Sequence, residues 1–163
     1  MGITLVEALV TVTIFTVLMG VSLGLLLAGS RSWEANKTRI EMGQKIRIAA
    51  DRIKDDLTQT GSGNISGMVS YGTPFNTITI NKITGVDVSG NIILSGNIAY
   101  TRATNPDRLL RNGVVVVENI SSLTFVRQSA TPDIVTVSLA AQKSSSQGGT
   151  IARSYSFNVQ MRN

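Results

Sequence analysis

Cysteine and histidine are both absent from the 163 residues, proline occurs only three times, and charged residues make up 15% of the chain. Without thiol or imidazole, the commonest ligands for zinc, copper, haem and iron–sulfur clusters are missing. The usual imidazole base and thiol nucleophile are missing too, so most familiar hydrolase and redox mechanisms are excluded or handicapped. An anchored hydrolase has no workable nucleophile and base pair here. Soluble domains carry about 25% charged residues, so this chain has an apolar surplus to place. The length leaves room for one ordinary domain and little more.

The surplus sits at the front. Residues 8–30 form a run of 23 without a charge, rich in Leu, Val and Ile, bounded by Glu7 and Arg31. As a helix rising about 1.5 Å per residue the run is about 35 Å long, enough to cross a hydrocarbon core of about 30 Å. A signal peptide would show a basic segment before a shorter apolar stretch, and neither is present. A buried core helix of this length would need a larger protein around it. The expectation is a membrane-inserted helix. Glu7 stands alone as a carboxylate at its end. It either sits at the positive pole of the helix N-terminus or neutralises a cation from another chain.

The string Gly2-Ile3-Thr4-Leu5-Val6-Glu7-Ala8-Leu9-Val10 resembles the N-terminal signature of type IV pilins and type II secretion pseudopilins. The resemblance implies cleavage by a prepilin peptidase between Gly2 and Ile3 and methylation of the new Ile3 amine. It also places Glu7 fifth in the mature chain, in the role of the carboxylate that pairs with that amine on a neighbouring subunit. Phe or Met is usual after the cut; this chain has Ile3. Ammonium and carboxylate from adjacent chains can compensate each other in a low-dielectric filament interior, where either alone is costly.

Beyond Arg31 the pattern turns amphipathic, and the prolines, at 74, 106 and 132, leave the helix uninterrupted. Met42, Ile46, Ala49, Ala50, Ile53 and Leu57 recur at spacings of three and four, predicting one buried stripe. Lys45, Arg47, Asp51, Lys54 and Asp55 occupy the solvated positions, with Glu41–Lys45 a favourable i,i+4 pair and Asp51–Asp55 a repulsive one. The reading is one helix over about 3–58, about 84 Å long by the same rise, ended by Gly61-Ser62-Gly63-Asn64. Within the apolar part, Gly20, Gly24 and Ala28 fall every four residues, as small residues do where membrane helices pack closely. The resemblance implies local loosening here on assembly, which Gly24 would permit. Trp33 reads as an interfacial anchor or as packing against the following domain.

From residue 61 the composition turns to β. Strands are predicted at 77–83, 91–95, 97–102, 108–111, 122–128, 134–142 and 151–162, with the all-valine run 114–117 a candidate buried strand. Ser95-Gly96-Asn97 reads as a hairpin turn and 143–150 as a loop. The alternation in 134–139 and 155–161 predicts sheets with one buried and one wet face. The expected fold is α+β, a long N-terminal helix whose amphipathic half packs on an antiparallel sheet, which the resemblance identifies with the pilin fold. The divisions are a residual leader at 1–2, a transmembrane and assembly helix at 3–30, its amphipathic continuation at 31–60 and a β-rich domain at 61–163.

The order of features from Ala99-Tyr100-Thr101-Arg102 through Leu109-Leu110-Arg111-Asn112-Gly113 and 117–125 to 132–139 resembles J-type minor pseudopilins and the related W-type minor pilins. This implies a minor structural subunit without catalytic activity, most directly at a type II secretion pseudopilus tip, where it helps initiate assembly and protein export. The alternatives are a W-type subunit of a type IV pilus, serving adhesion, motility or DNA uptake, and a membrane-anchored binding module that never polymerises. Expected partners are other minor and major pilin-like subunits, the prepilin peptidase and the inner membrane. The location implied is a single-pass inner-membrane protein of bacteria, its C-terminal domain in the periplasm until it is extracted into a filament. Arg31, Lys37, Arg39, Lys45 and Arg47 all follow the span, which positive-inside reasoning would place in the cytoplasm, but long domains translocate largely regardless of charge.

Some pseudopilins hold calcium through loop carboxylates. Asp51, Asp55 and Asp56 on the helix and Asp87, Asp107 and Asp133 in loops are the carboxylates to test, yet none sits in a dense oxygen-ligand run. No metal or other cofactor is expected. Residues 59–163 hold eight Lys+Arg and four Asp+Glu, scattered and with few aromatics beside them, so no nucleic acid is expected.

Overall fold

The computed structural model describes residues 4–68, 70–128, 131, 133–144 and 149–162. Its first element, α1, is a helix over Leu5–Thr58, and the chain divides into two compact units, Met1–Thr38 and Arg39–Asn163. In the first unit the described residues are helical from Leu5 onward, and almost every side chain is exposed. Leu5, Leu25 and Leu26 each show more than two thirds of their surface. An 18-residue window of this helix meets the length and composition needed to cross a membrane, and none of it is buried in protein. Trp33 is exposed, with the Lys37 ammonium 5.5 Å from its ring centroid.

The second unit is the α+β fold expected. Among the described residues ten strands follow the helix: β1 Thr60–Ser66, β2 Pro74–Phe75, β3 Thr77–Val86, β4 Ile92–Leu94, β5 Ile98–Thr104, β6 Asp107–Arg111, β7 Val114–Glu118, β8 Ile120–Arg127, β9 Ile134–Ser144 and β10 Thr150–Gln160. They form two antiparallel sheets, one ordered β1-β3-β5-β6-β7 with β4 paired to β3, the other β10-β9-β8-β2. The stripe that the helical spacing predicts is buried in a core shared with the strands: Met42, Ile46, Ala49, Ala50, Ile53 and Leu57 are all buried. Alternation does the same for β9, where Val135, Val137, Leu139 and Ala141 point inward. Tyr100 and Phe125 are the largest fully buried side chains. Each buried aliphatic or aromatic side chain contributes about 1.5–3 kcal/mol, which makes this interior the main source of stability.

Four local expectations are corrected. Gly61-Ser62-Gly63-Asn64 does not end the helix but lies within β1. The helix has already ended at Thr58, its last turn closed by the Thr60 hydroxyl donating to the Asp56 carbonyl at 2.8 Å. Backbone pairing with β3 overrides the low strand preference of glycine and serine there. Ser95-Gly96-Asn97 is not a hairpin turn, because β4 and β5 pair with successive stretches of β3, over Ile83–Val86 and Thr77–Ile80 respectively, and not with each other. The valine run is a strand but not a buried one. As the outer strand of its sheet, β7 leaves Val114 and Val115 exposed and buries only Val117 fully. The loop expected at 143–150 is shorter at its described ends, since β9 runs to Ser144 and β10 starts at Thr150; residues 145–148 lie outside the described set.

Between β6 and β7 the chain turns through Asn112 and Gly113, with φ of 51° and 78°. Two successive positive φ values make the tight hairpin turn whose twist suits antiparallel strands, and Asn-Gly is the pair that tolerates it. The Asn112 carboxamide also fastens the turn to the start of β5, accepting from Ala99 N at 2.6 Å and donating to Asn97 O at 3.2 Å.

Candidate functional site

The first candidate is the start of α1. Gly2 and Ile3 lie outside the described residues. Glu7 is exposed and turned back on the helix start: Thr4 donates to its Oε2 from both backbone N and Oγ1 at 3.0 Å, while Glu7 N approaches Thr4 Oγ1 at 3.4 Å. These are the two halves of a capping box, satisfying donors that a helix N-terminus leaves without partners. The spacing Thr4-Leu5-Val6-Glu7 carries this signal, and it gives the carboxylate a local partner that reading for filament chemistry overlooks. Thr4→Val should therefore destabilise the first helical turn by about 1 kcal/mol. Faster amide exchange confined to residues 5–8, in detergent micelles, is the expected readout. Unchanged exchange would show that the cap contributes nothing.

Farther along, Gly20, Gly24 and Ala28 lie on exposed helix, and apart from the local backbone of the helix itself nothing stands within 4 Å of where a Cβ would sit on either glycine. The small-residue face is bare, and α1 stays helical through it.

The carboxylates singled out by sequence have separate tasks. Asp87 folds the β3–β4 turn, its Oδ1 accepting from Ser89 N and Asn91 N at 2.8 Å and its Oδ2 from Asn91 Nδ2 at 3.0 Å. Asp107 receives Arg102 Nη2 at 2.7 Å. Asp51 and Asp55 are exposed on the helix. Among the described residues, no group of three or more acidic side chains is positioned to share a metal ion.

Asp56 is different in kind. It is 2% exposed, on the stripe that also buries Ile53 and Leu57. Lys82 Nζ donates to its Oδ1 at 2.9 Å, and Arg111 Nε and Tyr100 Oη donate to its Oδ2 at 2.8 and 2.6 Å. Three strands thus converge on one carboxylate near the end of the helix. Burial opposes its ionisation, but the bonds from Arg111, Tyr100 and Lys82 outweigh that and hold its pKa below the ordinary carboxylate value. Burial first, and then the bond to Asp56, push the Tyr100 phenol well above its usual range. Asp56 is thereby locked as an anion with its lone pairs engaged, which suits a structural anchor and not a proton carrier. Spacing could have flagged it: 42, 46, 49, 53 and 56 continue the three-and-four rhythm, so an acid at 56 lands on the buried face.

A second ionic link joins Glu41 on the helix to Lys45 one turn on and to Lys143 of β9, each at 3.1 Å. The bonds from Lys45 and Lys143 lower the Glu41 pKa; at this exposure the link contributes little to stability. No family model, curated protein or solved structure matches this chain.

Proposed function

We propose that the chain is a minor structural subunit of a type IV filament machine, specifically a tip subunit of a type II secretion pseudopilus that helps start assembly and protein export. The observation that carries this reading is the pairing of a membrane-length, uncharged, wholly unburied helix with one carboxylate, Glu7, at its outer end. Such a helix needs apolar surroundings along its length, and lipid and a filament interior are the two solvents that can trade places around it. The resemblance of the first nine residues to pilin and pseudopilin signatures supports the filament over a static anchor. The β-rich unit, periplasmic in this reading, contributes shape and contacts and no catalysis.

The deciding experiment is mass spectrometry of the mature N-terminus after expression of the full gene in a host with a prepilin peptidase. The expected product begins at Ile3 with a methylated amine. A chain that keeps Gly2 would overturn the filament reading in favour of a membrane-anchored binding module. In a W-type pilus subunit the processing is the same, and dependence of the phenotype on a retraction ATPase separates the two machines.

A further inference from the structure

Strand β10 is an unprotected edge. It pairs with β9 through eleven consecutive residue pairs without a bulge, and among the described residues no other strand pairs with it. Past its end, Met161 N donates to Asp133 O at 2.8 Å and Arg162 N to Thr60 O at 3.1 Å. Proteins ordinarily blunt so long an edge with proline, bulges or repeated charge. Here Thr150–Gln160 contains one charge, Arg153, and no proline.

The edge also borders a groove. On β10 the odd positions face the core, and Phe157 and Val159 are covered there, but Arg153 and Tyr155 on the same face are exposed. Opposite them runs the side of α1 that carries Arg39, Gly43 and Arg47, enclosing about 430 Å³. The walls are apolar in part, with Tyr155 stacked on Phe157 at 5.5 Å between centroids. Three guanidinium groups line the groove against one carboxylate, Asp51. Among the described residues none of the three arginines has an ion-pair partner, whereas Lys82, Arg102 and Arg111 all do.

We infer that this groove receives an extended acidic segment of another protein chain, added as a strand to the β10 edge with its carboxylates on Arg39, Arg47 and Arg153. Strand addition satisfies the free backbone groups of β10, and guanidinium–carboxylate pairing selects an acidic partner. An anionic lipid headgroup would use the arginines and leave the edge unpaired, so the peptide accounts for both features. The groove lies within the unit Arg39–Asn163, and the inference does not depend on polymerisation.

The test uses the full chain in non-ionic detergent and a fluorescein-labelled peptide of alternating Glu and Val, read by anisotropy. Saturable binding is expected, weakened about tenfold or more by Arg39→Glu with Arg153→Glu, and by N-methylation of alternate peptide bonds at unchanged charge. Gly43→Leu should weaken it similarly by filling the groove. A Cβ at Gly43 meets nothing within 4 Å, and leucine favours helix over glycine, so this variant keeps its fold. Equal binding of a Lys-Val peptide, of the N-methylated peptide or to Gly43→Leu overturns the inference. Displacement of the peptide by an equimolar amount of glycerol phosphate would also overturn it, assigning the arginines to a headgroup.

Discussion

Asp56→Ala should destabilise the folded unit by about 3–5 kcal/mol, because removing one partner of a buried ionic cluster strands the others. In a domain of this size that corresponds to a melting temperature about 10–20 °C lower. The geometry explains the size of the effect. Lys82 Nζ, Arg111 Nε and Tyr100 Oη all end on the two Asp56 oxygens within 2.9 Å, and the Asp56 side chain is 3% exposed. Truncation leaves two cations facing each other across an apolar stripe, together with a cavity. Replacing Asp56, Lys82 and Arg111 together by Leu, Met and Met should recover most of the loss, since a packed apolar substitute often matches a buried ion pair. If Asp56→Ala melts within about 2 °C of wild type, the cluster does not hold helix and sheets together.

The same carboxylate sets the acid limit. Its folded pKa lies below the ordinary value of about 3.9, so its contribution is complete above about pH 4 and lost as pH falls through the lowered value. Tyr100, shifted the other way, contributes fully below about pH 10 and loses that contribution as pH rises toward its raised value. Thermal melts between pH 2 and 7 should show a steeper acid limb for wild type than for Asp56→Ala. Parallel limbs would count against the assignment.

The second large effect is functional. Under the proposed filament role, Glu7→Leu should leave membrane insertion intact and abolish incorporation into filaments. A carboxylate inside a membrane-spanning helix costs about 2.5–3.5 kcal/mol at its centre and less toward the end, so removing it cannot impair insertion. The capping box complicates the interpretation, because Glu7 also serves the helix start through Thr4. Glu7→Gln separates the two roles. Glutamine keeps an acceptor at the third helical position, and with it the cap, while discarding the charge. Both variants should fail in assembly, measured as subunit in sheared filament fractions and as export of a secreted enzyme. Normal assembly of Glu7→Gln alongside failure of Glu7→Leu would reduce Glu7 to a cap.

Much of the architecture was legible because burial follows period. A residue's place on its own helix or strand tells which way it points, so the stripe from Met42 to Leu57 and the inward set Val135, Val137 and Leu139 could be identified without coordinates. The membrane-length run needed only counting. Elements whose composition contradicts their state were not legible. β1 is built from Thr, Gly, Ser and Asn, and it is a strand because β3 pairs with it. The valine run shows the reverse failure: its composition reads as interior, and its position at the sheet margin makes it surface.

By itself, then, the sequence determined the long helix with its buried stripe, the alternating strands and the lone acid at the front of an apolar run, since these depend on neighbours a few residues away. Only the tertiary structure decided which charges are compensated. Asp56 meets partners 26, 44 and 55 residues distant, whereas Arg39 and Arg47 face Arg153 across an open groove. Net charge reports none of this, because the strength of an ionic group depends on what folding brings beside it and how much water folding removes.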